Sequence, residues 1–188
     1  MKILWTTSER FLSRVIRWAT NSPCSHFAIC FDEDDEGNGL VFHSGPRGTE
    51  ILWLWEFLQS HRVIWALETW EPLPLEKEER IYKSILKSES GLAYDYPALL
   101  WWGWRALLKK FFWVPLPEKN AWQSGARRLC TGIAPAVIRG FGIQTKQVID
   151  FEMLELTELH GLFWETDRFQ NAKLPRLPTA NEAASHDE

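Results

Sequence analysis

The segment from Ser25 to Gly45 limits most strongly what this chain can fold into. It contains two runs rich in aromatic and β-branched residues, Ser25–Phe31 and Leu40–Ser44, and the stretch between them is acidic and contains glycine. Runs of this composition are typical of β-strands, and a polar, glycine-containing stretch is typical of the turn that joins them. The segment therefore predicts a β-hairpin.

Each strand of this hairpin carries one histidine. Opposite residues in an antiparallel pair point to the same side of the sheet. Pairing His26 with His43, or shifting the register by two so that Ala28 faces His43, puts both imidazoles on one face. Cβ atoms of opposite residues lie roughly 5 Å apart, so a hydrogen bond between two imidazoles is feasible. The small side chain of Ala28 leaves room for another element to pack above it.

The rest of the chain alternates between short apolar runs and longer amphipathic ones, which indicates an α+β domain with an antiparallel sheet packed against helices. The expected strands are Ile3–Thr6, Glu50–Trp53 and Arg62–Glu68, and the expected helices are Glu9–Thr20, Trp55–Gln59, Leu75–Ser88 and Ala98–Val114. The first helix is expected to bury a stripe formed by Phe11, Leu12, Val15, Ile16 and Trp18 or Ala19. We expect one domain over residues 1–170 and a flexible or partner-bound tail over 171–188, where Pro, Ala and acidic residues are frequent.

The aromatic run Ala98–Val114 is the second unusual feature, in a chain with 12 Trp and 11 Phe. Arg105, Lys109 and Lys110 would each cost a few kcal/mol inside a bilayer, which argues against a membrane-spanning helix. Three interpretations remain: a core helix, a helix lying in a membrane interface, and a helix docking on a protein partner. The side chains proposed for a partner or membrane contact are Trp101, Trp102, Trp104, Phe111, Phe112 and Trp113.

Composition excludes several classes of function. A net charge of -4 argues against nucleic acid as the partner, because phosphate binding needs a basic face. Three cysteines without metal-type spacing predict no metal, no cofactor and no disulfide scaffold. The N-terminus becomes polar too early for a signal peptide. We therefore expect a cytoplasmic protein, or one carried in a virion such as a phage tail.

Cys130 is expected near the start of a helix that ends at Gly140. A thiol at a helix N-terminus is favoured as the thiolate, an adjacent imidazolium favours it further, and the free N–H groups there can hold an oxyanion. In this interpretation Cys130 is a nucleophile, His26 its general base and acid, and His43 the residue that orients His26. The alternative is a small buried cysteine and a half-exposed strand histidine.

These residues also resemble a known family. Ser25-His26-Phe27-Ala28-Ile29, Val41-Phe42-His43-Ser44 and Leu129-Cys130-Thr131-Gly132 resemble the motifs of NlpC-type papain-like cysteine hydrolases. The cysteine follows the first histidine by about a hundred residues, as in the circularly permuted branch related to lecithin retinol acyltransferase. The segment Gly91–Tyr96 also resembles that branch.

The resemblance implies a papain-like fold and a Cys130, His26 and His43 triad, with Tyr94 and Thr131 as candidate oxyanion or substrate contacts. It implies hydrolysis of an amide bond, foremost in peptidoglycan stem peptides, through a thioester. Two alternatives stay open. One is a structural component, for example of a phage tail, that retains the scaffold. The other is a membrane-surface acyltransferase or lipid hydrolase.

Overall fold

A six-stranded antiparallel sheet is the centre of the fold. The computed structural model of the protein describes residues 1–31, 38–71, 73–112, 127–128, 130–141, 156–164 and 169–174. Its strands are β1 (Lys2–Thr7), β2 (His26–Phe31), β3 (Leu40–Gly45), β4 (Gly48–Trp53), β5 (Arg62–Thr69), β6 (Ala93–Tyr94), β7 (Arg127–Arg128) and β8 (Phe169–Asn171). Its helices are α1 (Phe11–Thr20), α2 (Leu54–Ser60), α3 (Leu75–Glu89), α4 (Tyr96–Phe112), α5 (Ala134–Phe141), which follows a 3₁₀ turn at Cys130–Ile133, and α6 (Leu156–Trp164).

The strand order in the sheet is β4-β3-β2-β1-β5-β8, and the short strands β6 and β7 form a separate parallel pair. In the predicted hairpin Ala28 faces His43, which is the shifted one of the two registers considered. The expected α+β class is confirmed. The expected strands and helices before Val114 coincide with observed elements to within about three residues at their ends.

Two apolar clusters cover the two faces of the sheet. One face carries Phe27, Ile29 and Phe42, which pack with buried side chains of α3, α5 and α6. We call it the major face. The opposite face carries His26, Ala28 and His43, and Ala28 packs there with Leu54 and Phe57 of α2. We call it the histidine face. Each fully buried large apolar side chain contributes roughly 1.5–3 kcal/mol, so the major face supplies most of the stabilisation by burial.

The sheet extends past the predicted domain boundary at residue 170. β8 ends at Asn171, and the N–H of Ala172 donates a hydrogen bond to the carbonyl oxygen of Ala66 at 2.9 Å. Sequence periodicity did not predict β6, β7 or β8, because strands of two or three residues are too short to show alternation. Residues 175–188 of the predicted tail lie outside the described residues.

Helix α1 is rotated about its axis from the orientation that its sequence predicts, so only part of the expected stripe is covered. Phe11, Val15 and Trp18 were expected to be buried, yet they are exposed, Phe11 to 76%. Leu12, Ile16 and Ala19 of the expected stripe are half-buried, and the two buried residues of the helix, Ser13 and Thr20, are polar. The hydroxyl of Ser13 exchanges hydrogen bonds with the hydroxyls of Thr7 and Ser25. The prediction of a buried stripe was therefore wrong for Phe11, Val15 and Trp18, because a hydroxyl network fixes the inner side of the helix.

Helix α4 is neither wholly a core helix nor wholly exposed. Ala98 and Trp102 are buried. Trp102 is therefore not available for the partner or membrane contact that the sequence interpretation assigned to it. Trp101 is half-buried. Trp104, Phe111 and Phe112 are exposed, whereas Trp113 lies outside the described residues. In the described part of the chain, no helix combines the length and the apolar composition needed to cross a bilayer.

Candidate functional site

His26 and His43 form a buried, directly bonded pair. His26 is the first residue of β2 and His43 lies near the end of β3. Their ring centroids are 5.2 Å apart with nearly perpendicular planes, and His26 Nε2 lies 3.1 Å from His43 Nδ1. Strand parity predicted this juxtaposition, and the shifted register gives the rings the offset that a nitrogen-to-nitrogen hydrogen bond needs.

A third histidine, His61, completes a cluster that the sequence did not reveal. It follows the last residue of α2, and its ring centroid lies 5.2 Å from that of His26 and 5.9 Å from that of His43. The ring is stacked on Phe57 at 4.3 Å, and its Nδ1 lies 2.9 Å from the hydroxyl oxygen of Ser60. No local pattern marks His61, because only the packing of α2 on the histidine face brings it here.

Burial keeps the cluster neutral. It lowers the pKa of His26 well below 6.5, and positive charge on His43 or His61 would lower it further. The pKa of His43 falls to about 4, first through burial and then through the charges of His61 and Arg10. Burial is also the main reason that the pKa of His61 falls to about 4. At neutral pH all three imidazoles are therefore uncharged, which is the form that accepts a proton.

Glu50 extends the histidine pair on the neighbouring strand. It is paired with His43 across β3 and β4, and its Oε1 lies 3.4 Å from His43 Nε2. If His26 is to accept a proton at Nδ1, its Nε2–H donates to His43 Nδ1, and His43 then carries its proton at Nε2, towards the Glu50 carboxylate. Gly45 leaves room for this ring, because a Cβ there would lie 2.9 Å from His43 Cε1.

An open cleft lies at the end of the sheet where β2 begins and β3 ends. Residues of α1, of the strand ends and of the segment before α4 line it: Ser8, Arg10, Leu12, Ser13, Ile16, Ser25, His26, Ser44, Gly45, Pro46, His61 and Tyr94. The cleft therefore brings His26 and His61 from the histidine face together with Ser44, which lies on the other face of the same strand end.

Tyr94, which lines this cleft, is near Cys130. Tyr94 is buried, and its pKa is raised well above 10, first by burial and then by charge on Cys130. Cys130 opens the 3₁₀ turn that leads into α5, as the sequence predicted for a helix start. Its side chain belongs to the same buried cluster as Phe27 and Phe42, on the major face, and the adjacent Thr131 is also buried.

The structure thus brings some of the predicted site residues together more closely than others. The bonds and ring contacts of His26 join it to His43, Phe57 and His61. Cys130 is grouped instead with Tyr94 and the apolar cluster of the major face. The predicted pairing of Cys130 with His26 and His43 would put the Cys130 helix across the histidine face. The observed 3₁₀ turn and α5 pack against the major face instead, because the buried apolar side chains of α5 cluster with Phe27 and Ile29 there.

Cys24 belongs to the same buried cluster as Cys130, but it lies between α1 and β2 and does not open a helix. Burial raises the pKa of the Cys24 thiol to about 12, so this thiol is not a nucleophile near neutral pH. Cys30 is fully buried in the middle of the sheet, on the histidine face. Cys30 lies inside β2, so neither Cys24 nor Cys30 stands at the start of a helix.

Comparison with known proteins identifies the architecture. A crystal structure of the metalloprotein YiiX from Escherichia coli O157:H7 superimposes with a TM-score of 0.55 over 94% of this chain and 97% of that one, at 13% sequence identity. The fold is papain-like, of the NlpC type. At this identity the likeness shows the fold alone. No model of a known protein family matches the sequence, and no curated protein matches it.

Proposed function

We propose that the protein is a cysteine-dependent hydrolase of amide bonds, with Cys130 as nucleophile, His26 as general base and acid, and His43 as the residue that orients His26. The observation that carries the proposal is the neutral, buried His26, bonded through Nε2 to His43 at the edge of an open cleft. With Nε2 committed to His43, Nδ1 is the nitrogen that remains to take a proton from a thiol.

The proposed reaction has two halves. His26 Nδ1 takes the thiol proton of Cys130 as Sγ attacks the carbonyl carbon, and N–H groups at the start of the Cys130 turn hold the oxyanion. His26 then gives that proton to the leaving amine as the carbon–nitrogen bond breaks, which leaves a thioester on Cys130. In the second half His26 takes a proton from water as the water oxygen attacks the thioester carbon. The proton then returns from His26 to Sγ as the carbon–sulfur bond breaks, which restores the Cys130 thiol and releases the acid.

Geometry limits where the two groups can react. The side chain of Cys130 packs in the cluster on the major face, and that of His26 lies on the histidine face. The two side chains can therefore meet only beyond an end of the sheet. The end of the sheet is the place where both faces open on one cleft, and His26 stands there as the first residue of its strand. Tyr94 lies between the two environments, since it lines the cleft and is near Cys130. We therefore place bond cleavage at this end, with Tyr94 beside the scissile group.

The cleft favours a substrate that carries a carboxylate. Arg10 lines it, and the charge of Arg10 is close enough to lower the pKa of both His43 and His61. A guanidinium can bind a carboxylate with two parallel hydrogen bonds. Peptidoglycan stem peptides carry free carboxylates near their amide bonds, and they are the substrate class that we propose.

Digestion of purified peptidoglycan tests this function. The protein should release soluble peptides, and Cys130→Ala and His26→Gln should each lower the rate at least about a thousandfold, as expected when a nucleophile or its base is lost. Cys24→Ala is the matched control, because that thiol is buried with a raised pKa, and it should keep the activity. Digestion that survives Cys130→Ala would show that Cys130 is not the nucleophile.

The name of the YiiX structure raises the question of a metal. Within the described ranges, no group of three or more His, Cys, Asp or Glu side chains could hold a metal ion. The histidine cluster brings three imidazoles together, but their nitrogens do not converge on one point. His26 Nε2 and His43 Nδ1 face each other, and His61 Nδ1 faces the Ser60 hydroxyl group. The described residues of this cluster therefore do not fit a metal, and the proposed mechanism uses none.

A lipid acyl group is the second candidate substrate. The observation that favours it is the exposed apolar side of α1, whose other side contributes Leu12 and Ile16 to the cleft. The first half of the reaction would differ in its leaving group, since a carbon–oxygen bond would break and His26 would give its proton to the alcohol. The thioester would then pass the acyl group to water or to an amine. Release of fatty acid from phospholipid vesicles, with no release of peptides from peptidoglycan, would favour this candidate over the first.

A further inference from the structure

Two helices near the cleft direct apolar side chains outward in regular stripes. On α1, Phe11, Val15 and Trp18 follow the i, i+4, i+7 spacing of one helical face, and all three are exposed. On α4, Leu100 and Trp104 are exposed one turn apart, Trp104 to 60%. Phe111 lies on the same side of α4 two turns further on and is also exposed. Stripes of this kind are normally buried against another element.

The two stripes form one continuous patch. Helices α1 and α4 pack side by side, and the rings of Trp18 and Phe111 lie 6.2 Å apart. We call the patch the aromatic surface and define it by Phe11, Val15, Trp18, Leu100, Trp104 and Phe111.

The charge of the two helices is opposite to that of the whole protein. Between Phe11 and Thr20 and between Tyr96 and Phe112 the sequence has five basic residues and no acidic one: Arg14, Arg17, Arg105, Lys109 and Lys110. The full chain carries a net charge of -4. Cationic residues are therefore concentrated on the two helices that form the aromatic surface.

We propose that the aromatic surface docks on the interface of an anionic lipid bilayer. Helices that lie in a membrane interface typically combine tryptophan and phenylalanine with arginine and lysine. Their rings lie at the level of the headgroups, and their cationic side chains lie near lipid phosphates. Each basic residue near an anionic leaflet contributes attraction that salt weakens. A second copy of the chain fits less well, because a two-fold symmetric contact would place the same basic helices against each other.

Docking in this way would orient the cleft. Arg10, Leu12 and Ile16 line it from the start and the inner side of α1, while Trp18 and Phe11 point away from the body of the protein. The mouth of the cleft would then lie beside the bilayer surface. This inference goes beyond the proposed function and does not depend on Cys130.

Co-sedimentation of the full chain with lipid vesicles tests the proposal. We expect binding to vesicles of phosphatidylcholine mixed with phosphatidylglycerol at low salt, and weaker binding to phosphatidylcholine alone or at high salt. The double substitution Trp18→Ser and Trp104→Ser should weaken binding at least about tenfold, because it removes two interfacial rings. Circular dichroism should show that the variant is folded, since both side chains are exposed.

Trp70→Ser is the matched control. Trp70 is 64% exposed and lies outside α1 and α4, so its loss should leave vesicle binding unchanged. Cys130→Ala should also bind like the wild type, which separates a failure of this proposal from a failure of the hydrolase proposal. Three results would overturn it: equal binding to neutral vesicles, undiminished binding by the Trp18 and Trp104 variant, or a dimer that this variant dissociates.

Discussion

The neutral histidine cluster predicts a specific loss of stability in acid. In the unfolded chain a histidine has a pKa of about 6.5, whereas the pKa of His43 in the folded protein is about 4. Between these values the unfolded state binds a proton that the folded state does not. The free energy of unfolding must therefore fall as the pH drops from 6.5 towards 4, and the full contribution of His43 is present above pH 6.5.

The size of the effect follows from the same two pKa values. A separation from 6.5 to about 4 is worth about 3 kcal/mol for His43 alone. His43→Asn is a suitable perturbation, because an asparagine oxygen can accept the hydrogen bond from His26 Nε2 while the side chain does not titrate. Between pH 7 and pH 4 we expect the wild type to lose about 3 kcal/mol more than this variant, which keeps only the slope due to His26, His61 and other groups.

Urea unfolding at a series of pH values measures the difference. Tryptophan fluorescence suits the protein, whose chain has 12 Trp. NMR titration of the imidazole protons should in parallel show His43 neutral down to about pH 4. If the two proteins lose stability in parallel from pH 7 to pH 4, His43 titrates alike in both states and its burial does not have the assigned effect.

Three further predictions concern Glu50, Gly48 and Cys130. Glu50→Ala should lower peptidoglycan hydrolysis about tenfold, because it removes the carboxylate whose Oε1 lies 3.4 Å from His43 Nε2, while Glu50→Gln, which keeps an oxygen there, should retain most of the activity. Gly48→Ala should destabilise the fold by about 1–3 kcal/mol in urea unfolding, because φ is 106° there and a Cβ would lie 2.5 Å from the carbonyl oxygen of Leu92. Gly103→Ala, in open helical surroundings, should not destabilise it. Iodoacetamide should label Cys130 only slowly at pH 6, because a neutral His26 supplies no imidazolium to hold a preformed thiolate, and fast labelling at that pH would contradict this.

The sequence predicts the histidine pair because the alternation of side chains along two paired strands is enough to place both imidazoles on one face. His26, Ala28 and His43 fall on one face in either of the two registers considered, so their juxtaposition did not depend on knowing which one occurs. His61 could not be found in this way. It reaches the pair from the end of α2, and its position depends on how Leu54 and Phe57 pack on the sheet.

Amphipathic spacing likewise predicts that α1 is a helix but not which side of it is covered. The expected stripe was identified by hydrophobicity alone, and hydrophobicity favours burying Phe11 and Trp18. In the structure Ser13 takes the inner position, where its hydroxyl group forms hydrogen bonds with the buried hydroxyl groups of Thr7 and Ser25. A buried polar group without a partner costs more than an exposed ring, so the hydrogen-bonding requirement at the end of the sheet decides the orientation.

In the proposed mechanism, the protonation state of the histidines also decides how Cys130 would be activated. The sequence interpretation relied on an adjacent imidazolium to stabilise a thiolate before substrate arrives. Burial instead lowers the pKa of His26 well below 6.5, so an imidazolium is unfavourable in the resting protein. A neutral imidazole can still take the proton during attack, when the negative charge moves from sulfur to the oxyanion and the new positive charge on His26 faces His43 and, beyond it, Glu50. The cluster therefore favours general-base catalysis over a preformed ion pair. It follows that protonation of His26 should limit the rate only in acid well below pH 6.5, where the fold itself loses stability.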